Sequence, residues 1–363
     1  MIRVAYTLEQ CWHEVPGGTA VAAIEAARAL AQRAGVELVG VAARHSKPPR
    51  PQFVPPISVR QLPLPRAVLY EAWHRLRRPR VDRVTGPVDV IHATTIALPP
   101  RSVPLVVTIH DLAWRHAPAR YTRHGRTFFE RGLNLALDEA DLVLCPSTAT
   151  FRDCERAGFE VTRLEVVPFG VDVAPATEAE IAAVRRRYGL DRGYVLFVGT
   201  IEPGKNLAGL IAAFGTLEHP VDLVVGGPRG WNQENDGPAG DSHPGVERLG
   251  FVPPEHLGPL YAGARVFCLP SFMEGFGFPV LEAMAQGTPV VTSRGTSTEE
   301  LAGGAGVLVD PHDAGSIAEG LRSVLDDEDR ARELGELGRA RAATFTWART
   351  ARLMEAAYAK VAA

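Results

Sequence analysis

Two glutamates, Glu274 and Glu282, stand eight positions apart in Leu269–Val291, which reads LPSFMEGFGFPVLEAMAQGTPVV. Pro279 suits the first turn of a helix and Gly287 its end. The amides of Gly275, Phe276, Gly277 and Phe278 are then expected at or before a helix N-terminus, where N–H groups and the helix dipole favour an anion. Two carboxylates beside a bound phosphate would repel it. They suit hydroxyl groups instead, because an ionised carboxylate only accepts hydrogen bonds. Lys205, in GTIEPGKN, offers a cation to offset the phosphate. Amides for phosphate and carboxylates for paired hydroxyls together describe a site for a nucleotide-sugar. Taken singly, Glu282 could merely stabilise a first helical turn and Glu274 could be a solvated loop acid; the conjunction with glycines, proline and a lysine loop argues otherwise.

The lysine loop, Gly199 to Asn206, matches G-x-x-x-x-G-K-[ST] at all but its last position. A P-loop needs that final hydroxyl to hold Mg²⁺. Asn206 is a poor replacement, and Pro203 removes an amide from the cradle. A lysine beside a glycine at a strand end, holding a diphosphate without a metal, is the better reading. The D-x-D in Asp326–Asp329 falls between expected helices, away from any strand end, and reads as a solvated turn.

In the first half, Gly17 and Gly18 of PGGTA lie between a strand and its helix. There they could turn amides to a ligand or simply make a tight turn. The dipeptide is not G-x-G-x-x-G, which weakens a dinucleotide reading. His110, at the end of PLVVTIH and followed by Asp111 and Trp114, is placed to meet a ligand at a strand's carboxyl end; His92 ends VDVIH similarly and reads as structural.

Short apolar runs alternate with helical patterns through both halves. IRVAYTL, VELVGVAA, VDVIHA, PLVVTIH, ADLVLCPS and RLEVVPFG come first; YVLFVGT, VDLVVGG, VERLGFV, ARVFCLPS, PVVTSR and AGVLVD follow. The pattern predicts an α/β protein of two doubly wound parallel sheets covered by helices. A length of 363 residues agrees with two domains. The break falls at the proline- and alanine-rich APATEAE, between Asp172 and Arg192. The expected division is 1–175 and 176–345, with a last helix over 346–363 crossing back to the first domain.

The net charge of −3 argues against nucleic acid as a partner. Residues 1–172 hold 22 Lys+Arg against 17 Asp+Glu, so the first half is the basic one. Two stretches account for this. Across residues 60–83, Val68, Leu69, Ala72, Trp73 and Leu76 recur at helical spacing beside Arg75, Arg77 and Arg78. A helix lying on an anionic membrane surface and a helix docked on its own domain would both read this way. The second, Arg115–Arg131 with Tyr121, Phe128 and Phe129, could line an acceptor groove. Cys11, Cys145, Cys154 and Cys268 show no C-x-x-C pair and read as free buried thiols of a reducing compartment. No signal peptide or membrane span is read, so a cytoplasmic location is expected, with peripheral contact at the inner membrane face through 60–83 left open.

EGFGFPVLEAMA, with its E-x7-E spacing, resembles the signature of the retaining glycosyltransferases of family 4 (group 1), which have the GT-B fold. PGGTA, TIHDLAW, VPFGVD, VGTIEPGKN, LGFV, LYAGARVFCLPS, QGTPVVTS and FTW extend the likeness through most of the chain. The subset with V-G-T-[IL]-E-P-x-K-N includes mannosyl- and rhamnosyltransferases. The resemblance implies a role for each position. Glu282 would bind the donor ribose and Glu274 the donor sugar near the reacting centre. The amides of 275–278 would hold the sugar and diphosphate, and Lys205 the diphosphate. The backbone near Phe251 would meet the base, His110 the transferred sugar, and Gly17-Gly18 the phosphates or acceptor. Many relatives carry Arg where Thr200 stands, and close ones carry Arg at Gly204. Arg229, after VVGGP, or another nearby arginine is the candidate substitute.

The expectation is therefore a metal-independent transferase without a cofactor. It would move a hexose from a nucleoside-diphosphate sugar to a hydroxyl of a glycan, lipid-linked or small-molecule acceptor. An epimerase or phosphorylase of the same fold, and a non-catalytic sugar-nucleotide-binding protein, are the alternatives.

Overall fold

The computed structural model describes residues 1–14, 17–228 and 243–362. The chain divides into two compact units, Met1–Gly170 with Thr346–Ala363, and Val171–Phe345. Residues 171–175 thus fall in the second unit. Gln286 holds this entry segment there: its carboxamide donates to Ala174 O at 2.8 Å and accepts from Ala176 N at 2.9 Å.

The first unit carries seven parallel strands: β1 (Ile2–Thr7), β2 (Val36–Ala42), β3 (Val59–Gln61), β4 (Val90–Ala93), β5 (Leu105–Thr108), β6 (Leu142–Cys145) and β7 (Leu164–Val166). Their order is β3-β2-β1-β4-β5-β6-β7. Strands β4, β5 and β6 are buried at every position, as the unbroken apolar runs require for a sheet covered on both faces. The edge strand β3, with the sequence VRQ, was not among the expected strands; its residues are exposed or half-buried, so it has no apolar run to announce it.

The last helix, Trp347–Ala362, belongs to this first unit. Thr350 Oγ1 donates to Pro168 O at 2.7 Å. Tyr358 Oη lies 2.7 Å from His92 Nδ1, whose Nε2 is 2.8 Å from Thr108 Oγ1. Burial pushes the His92 imidazole down to about 3, so it is a neutral core residue joining two strands and a helix.

The basic helix of residues 60–83 is Arg66–Leu76. The reading of it as a membrane-surface helix is corrected in one respect: its aromatic faces inward. Leu69 and Trp73 are fully buried, and Trp73 Nε1 donates to Pro79 O at 2.9 Å. Only Val68 and Leu76 remain outside. Arg75 pairs with Glu71, while Arg77 ends the helix in a left-handed turn, donates to the carbonyls of Trp73, Leu98 and Pro99, and pairs with Glu139. Among the described residues no helix is long and apolar enough to cross a membrane. All four cysteines are buried and free.

The second unit carries β8 (Gly193–Val198), β9 (Val221–Gly226), β10 (Val246–Gly250), β11 (Val266–Leu269), β12 (Val290–Ser293) and β13 (Val307–Val309), again all parallel, in the order β10-β9-β8-β11-β12-β13. The chain winds outward in one direction from β8 and in the other from β11. Open sheets of this kind bind ligands outside the carboxyl ends of the strands at such a reversal. The segments leaving β8 and β11 are Gly199–Asn206 and Pro270–Gly277, which hold Thr200, Lys205, Glu274, Gly275, Phe276 and Gly277.

Candidate functional site

In the second unit the lysine loop and the glutamate loop meet. Lys205 Nζ donates to both carboxylate oxygens of Glu274, at 2.6 and 2.7 Å, and Ser271 Oγ donates to Glu274 Oε1 at 2.7 Å. The Glu274 side chain is 8% exposed and that of Lys205 20%, so the pair is well shielded without being sealed. The two loops are also tied through backbone: Phe272 N donates to Gly204 O at 3.0 Å.

Asn206 shows why this loop is not a P-loop. It takes a left-handed conformation, φ 55°, and its amide donates to Pro270 O at 3.1 Å and Pro311 O at 2.7 Å. Asparagine tolerates that backbone better than serine or threonine. The side chain that would hold Mg²⁺ in an NTPase is here a clasp between loops. Thr200 is half-buried between Gly199 and Ile201, a turn pinned by the bond from Ile201 N to Pro228 O at 3.0 Å.

The helix that follows the glutamate loop runs Phe278–Gln286, with Pro279 in its first turn and Gly287 as its left-handed end. Gly277 precedes it at φ 107°, and a Cβ built there would lie 2.7 Å from Thr298 Cγ2. Glycine is required on both counts. The Ser297 hydroxyl lies 2.8 Å from Glu274 O and 2.9 Å from Phe276 O, which fixes how the peptide planes of this loop are turned. Phe276 is buried with its ring 5.1 Å from that of Phe278 and 6.4 Å from that of Phe345.

Glu282 lies in the second turn of this helix, and its environment differs from that of Glu274. Its partner is a phenol: Tyr261 Oη donates to Glu282 Oε2 at 2.8 Å. Burial pushes the carboxyl up from its usual range, and the tyrosine bond works against that shift. Tyr261 is itself buried, with its ring edge-on to Phe267 at 5.4 Å. Phe251 stands beyond β10 with 58% of its surface exposed, after Gly250, whose carbonyl accepts from Gly227 N at 2.7 Å. Arg229 lies outside the described residues.

The D-x-D, Asp327 and Asp329, is the start of a helix: Asp327 opens Glu328–Ala342 by accepting from Arg330 N at 2.9 Å, and Asp329 in its first turn accepts from Arg332 Nη1 at 3.0 Å.

In the first unit, His110 follows β5. Its Nε2 lies 2.9 Å from Thr94 O. A carbonyl can only accept, so Nε2 carries the proton and Nδ1 is the acceptor of the neutral ring. Burial holds the imidazole below its ordinary value, which keeps it neutral near pH 7. Its ring leans on Phe169 at 5.6 Å. Thr94, at the end of β4, is a junction: its hydroxyl takes a bond from Gln10 Nε2 at 2.7 Å and lies 3.0 Å from Thr7 Oγ1. Gly17 and Gly18 begin the helix Gly17–Leu30 and are exposed. Gly17 sits at φ 60°, and a Cβ there would meet nothing within 4 Å. Backbone conformation rather than close contact therefore selects glycine at Gly17.

The structure thus brings together Lys205, Glu274 and the 275–278 loop, with Glu282 on the same helix. His110, Gly17 and Gly18 stand at the carboxyl-end side of the other sheet. Sequence reasoning missed Ser271, Ser297, Thr298, Tyr261, Thr94 and Gln10. Of these only Tyr261 gave a signal, as the one polar-tipped aromatic in LYAGARVFCLPS.

Known proteins resemble this chain in sequence and in fold. Residues 16–175 match the model of Glycosyltransferase Family 4, and residues 181–341 match that of Glycosyl transferases group 1. The chain is 34% identical over 271 residues to the O-antigen chain mannosyltransferase B of Escherichia coli, covering 71% of each protein. It is 32% identical over 391 residues to the D-inositol 3-phosphate glycosyltransferase of Acidothermus cellulolyticus, covering 92% of this chain and 83% of that one. Among solved structures, Anabaena Alr3699/HepE in complex with UDP and glucose superposes with a TM-score of 0.77 at 19% identity, over 99% of this chain and 100% of that one. Sucrose-phosphate synthase of Thermosynechococcus elongatus gives the same TM-score at 21% identity, over 99% of both chains. The fold is GT-B, and the chain belongs to the group 1, family 4 glycosyltransferases.

Proposed function

We propose that this glycosyltransferase is a retaining enzyme that moves a hexose from a nucleoside-diphosphate sugar to an acceptor hydroxyl, without a metal ion. The contact of Lys205 with both oxygens of Glu274 carries the reading. It sets a cation and a carboxylate side by side where the loops leave β8 and β11, next to the glycine-capped start of the helix Phe278–Gln286. A diphosphate fits the cation and the helix end; a sugar fits the carboxylate. The relatives support the class of donor and product: one is an O-antigen mannosyltransferase, and Anabaena Alr3699/HepE is described with UDP and glucose.

In this scheme Glu282 accepts from the ribose hydroxyls and Glu274 from the transferred sugar. Thr200 and the amides of Gly275, Phe276, Gly277 and Phe278 border the sugar and diphosphate, and the backbone at Phe251 meets the base. From the first unit, His110 offers Nδ1 to a sugar hydroxyl, and Gly17 and Gly18 border the phosphates or acceptor. The acceptor attacks from the face the diphosphate leaves, and the departing phosphate oxygen takes the acceptor's proton. The charge that develops on that oxygen is met by Lys205 and the helix end. Glu274 fixes where the ammonium stands, and Ser271 fixes Glu274. Relatives that carry arginines at Thr200 and Gly204 have more positive charge here, so this chain leans harder on one lysine.

Donor consumption in EDTA, followed by the anomeric configuration of the product, tests the proposal. Wild type is expected to transfer with retention, and Lys205→Ala and Glu274→Ala to lose most of the rate. Full activity in both variants, an absolute need for metal, or an inverted product would each refute its part.

A further inference from the structure

The first unit holds a second cationic feature that the donor scheme does not use. The turn Ala113–His116 and the helix Arg123–Glu139 flank an open groove of about 710 Å³, whose lining includes Trp114, Arg115, Arg123, Arg126, Glu130 and Arg131. The turn follows β5 by way of His110 and Asp111, so the groove starts from the carboxyl-end side of the sheet, where ligands of such folds sit.

The four arginines are not equivalent. Arg115 is spoken for: its Nε and Nη2 donate to Glu130 Oε1 and Oε2 at 2.9 and 2.7 Å. Glu130 also accepts from Trp114 Nε1 at 2.8 Å, and Trp114 stacks on Phe129 at 4.9 Å, which makes a rigid wall. Arg131 Nη1 donates to Glu71 at 3.0 Å. Arg123 and Arg126 stand three residues apart, on one face of the helix. Both are exposed, and neither guanidinium makes an ion pair or hydrogen bond among the described residues. Glu71 is shared between Arg131 and Arg75 and can neutralise only one of them, and among the described residues Arg123 and Arg126 have no internal anion.

We infer that Arg123 and Arg126 bind a phosphomonoester and, resting on the transferase reading above, that this phosphate belongs to the acceptor. A phosphomonoester carries about −1.5 to −2 at neutral pH and accepts the planar fork of a guanidinium in bidentate fashion. It answers both arginines at once, whereas a carboxylate would cancel one. The same chemistry is found on a soluble sugar or polyol phosphate and on a lipid headgroup.

Calorimetric titration of the full chain with inorganic phosphate and with a soluble hexose 6-phosphate tests this, comparing wild type with Arg123→Ser/Arg126→Ser. Both positions are exposed, and thermal unfolding checks that the variant stays folded. Wild type is expected to bind, more weakly as salt rises, and the double variant to bind about 100-fold more weakly, since each lost charge-assisted pair is worth about tenfold. Equal binding by the two proteins overturns the inference. Flotation with phosphatidic acid vesicles, against phosphatidylcholine alone, separates the sources. Flotation that needs both arginines, without binding of soluble phosphates, assigns the phosphate to a lipid. Binding of neither probe also overturns the inference. Titration of UDP-, GDP-, ADP- and TDP-sugars in the same samples keeps the two readings apart. Phosphate binding without any donor binding sinks the transferase reading and with it the acceptor role; donor binding without phosphate binding sinks the groove alone.

Discussion

The two sheets end in different chemistry. The groups that hydrogen-bond around His110 are neutral, Thr7, Gln10, Thr94 and a ring that burial keeps uncharged, with Asp111 as the adjoining charge. Where β8 and β11 end, a lysine and a glutamate pair, with a second, phenol-bonded glutamate on the adjoining helix. Neutral networks select shape and hydroxyl placement. Charged pairs answer to charge that develops during reaction, which is worth more in a shielded site than in water. Binding selection is thus expected from the first region and rate from the second.

The largest effect should come from breaking the charged region. Lys205→Ala leaves Glu274 shielded and without its cation. Breaking a buried ion pair by removing one partner costs about 3–5 kcal/mol; with the Lys205 side chain 20% exposed, the lower end applies. Loss of one preorganised electrostatic contact lowers kcat roughly 10²–10³-fold. Lys205→Ala/Glu274→Ala should regain much of the stability and none of the rate. Chemical denaturation and steady-state kinetics on the three variants measure both. By contrast, His110→Asn should keep kcat within about tenfold, since the neutral hydrogen bonds it replaces are worth about 0.5–1.5 kcal/mol each. A larger fall at His110 than at Lys205 would reverse the assignment of rate to the second region.

The glycines sharpen the same contrast at a lower energy. Gly277→Ala faces a strained φ of 107° and a methyl 2.7 Å from Thr298 Cγ2. Backbone strain and overpacking together cost about 3 kcal/mol. Thr298→Ser removes the obstructing methyl and keeps the hydroxyl that bonds with Thr292 and Thr296. Adding it to Gly277→Ala should return the packing part and leave the backbone part. Gly17→Ala meets open space at φ 60° and should cost about 1 kcal/mol. Thermal melts of these four proteins test the order. A Gly17 variant as damaged as the Gly277 variant would mean that something besides backbone conformation selects glycine there.

What the sequence disclosed follows the same physics. Parallel strands buried on both faces must be apolar throughout, so β4, β5 and β6 could be read directly, while the exposed edge β3 could not. The glycine-proline-glycine punctuation placed the helix Phe278–Gln286 because each of those residues has few other uses. Side-chain partners across distance were hidden: Lys205 and Glu274 lie 69 positions apart, and nothing local marks them as a pair. Ser297 and Thr298 look like any hydroxyl residues, and only folding brings them under the glutamate loop. The helical period of residues 66–76 was clear, yet it could not tell a membrane face from a core face. The burial of Trp73 places that side chain in the core of its own unit.

The smallest expected effect lies at Glu282, whose carboxyl is held above its ordinary range, whereas His110 is held below its own. Burial raises this carboxyl above its ordinary value and the Tyr261 hydroxyl opposes the rise. A group whose pKa is raised on folding favours the folded state in its neutral form. That contribution is full below the unfolded pKa and is lost as pH rises through the raised value. Ribose binding has the opposite sign, because accepting two hydroxyls needs the carboxylate, so donor affinity should grow over the same interval. Tyr261→Phe removes a donor to the charged form and should move the inflection of donor affinity further up in pH. Where the carboxyl is fully ionised in both proteins, affinity should stay within a few-fold of wild type, since one hydrogen bond is worth about 0.5–1.5 kcal/mol. Donor titrations carried upward in pH from the ordinary carboxyl range decide it. Glu282→Gln should remove the inflection altogether, and an inflection that persists in that variant belongs to another group.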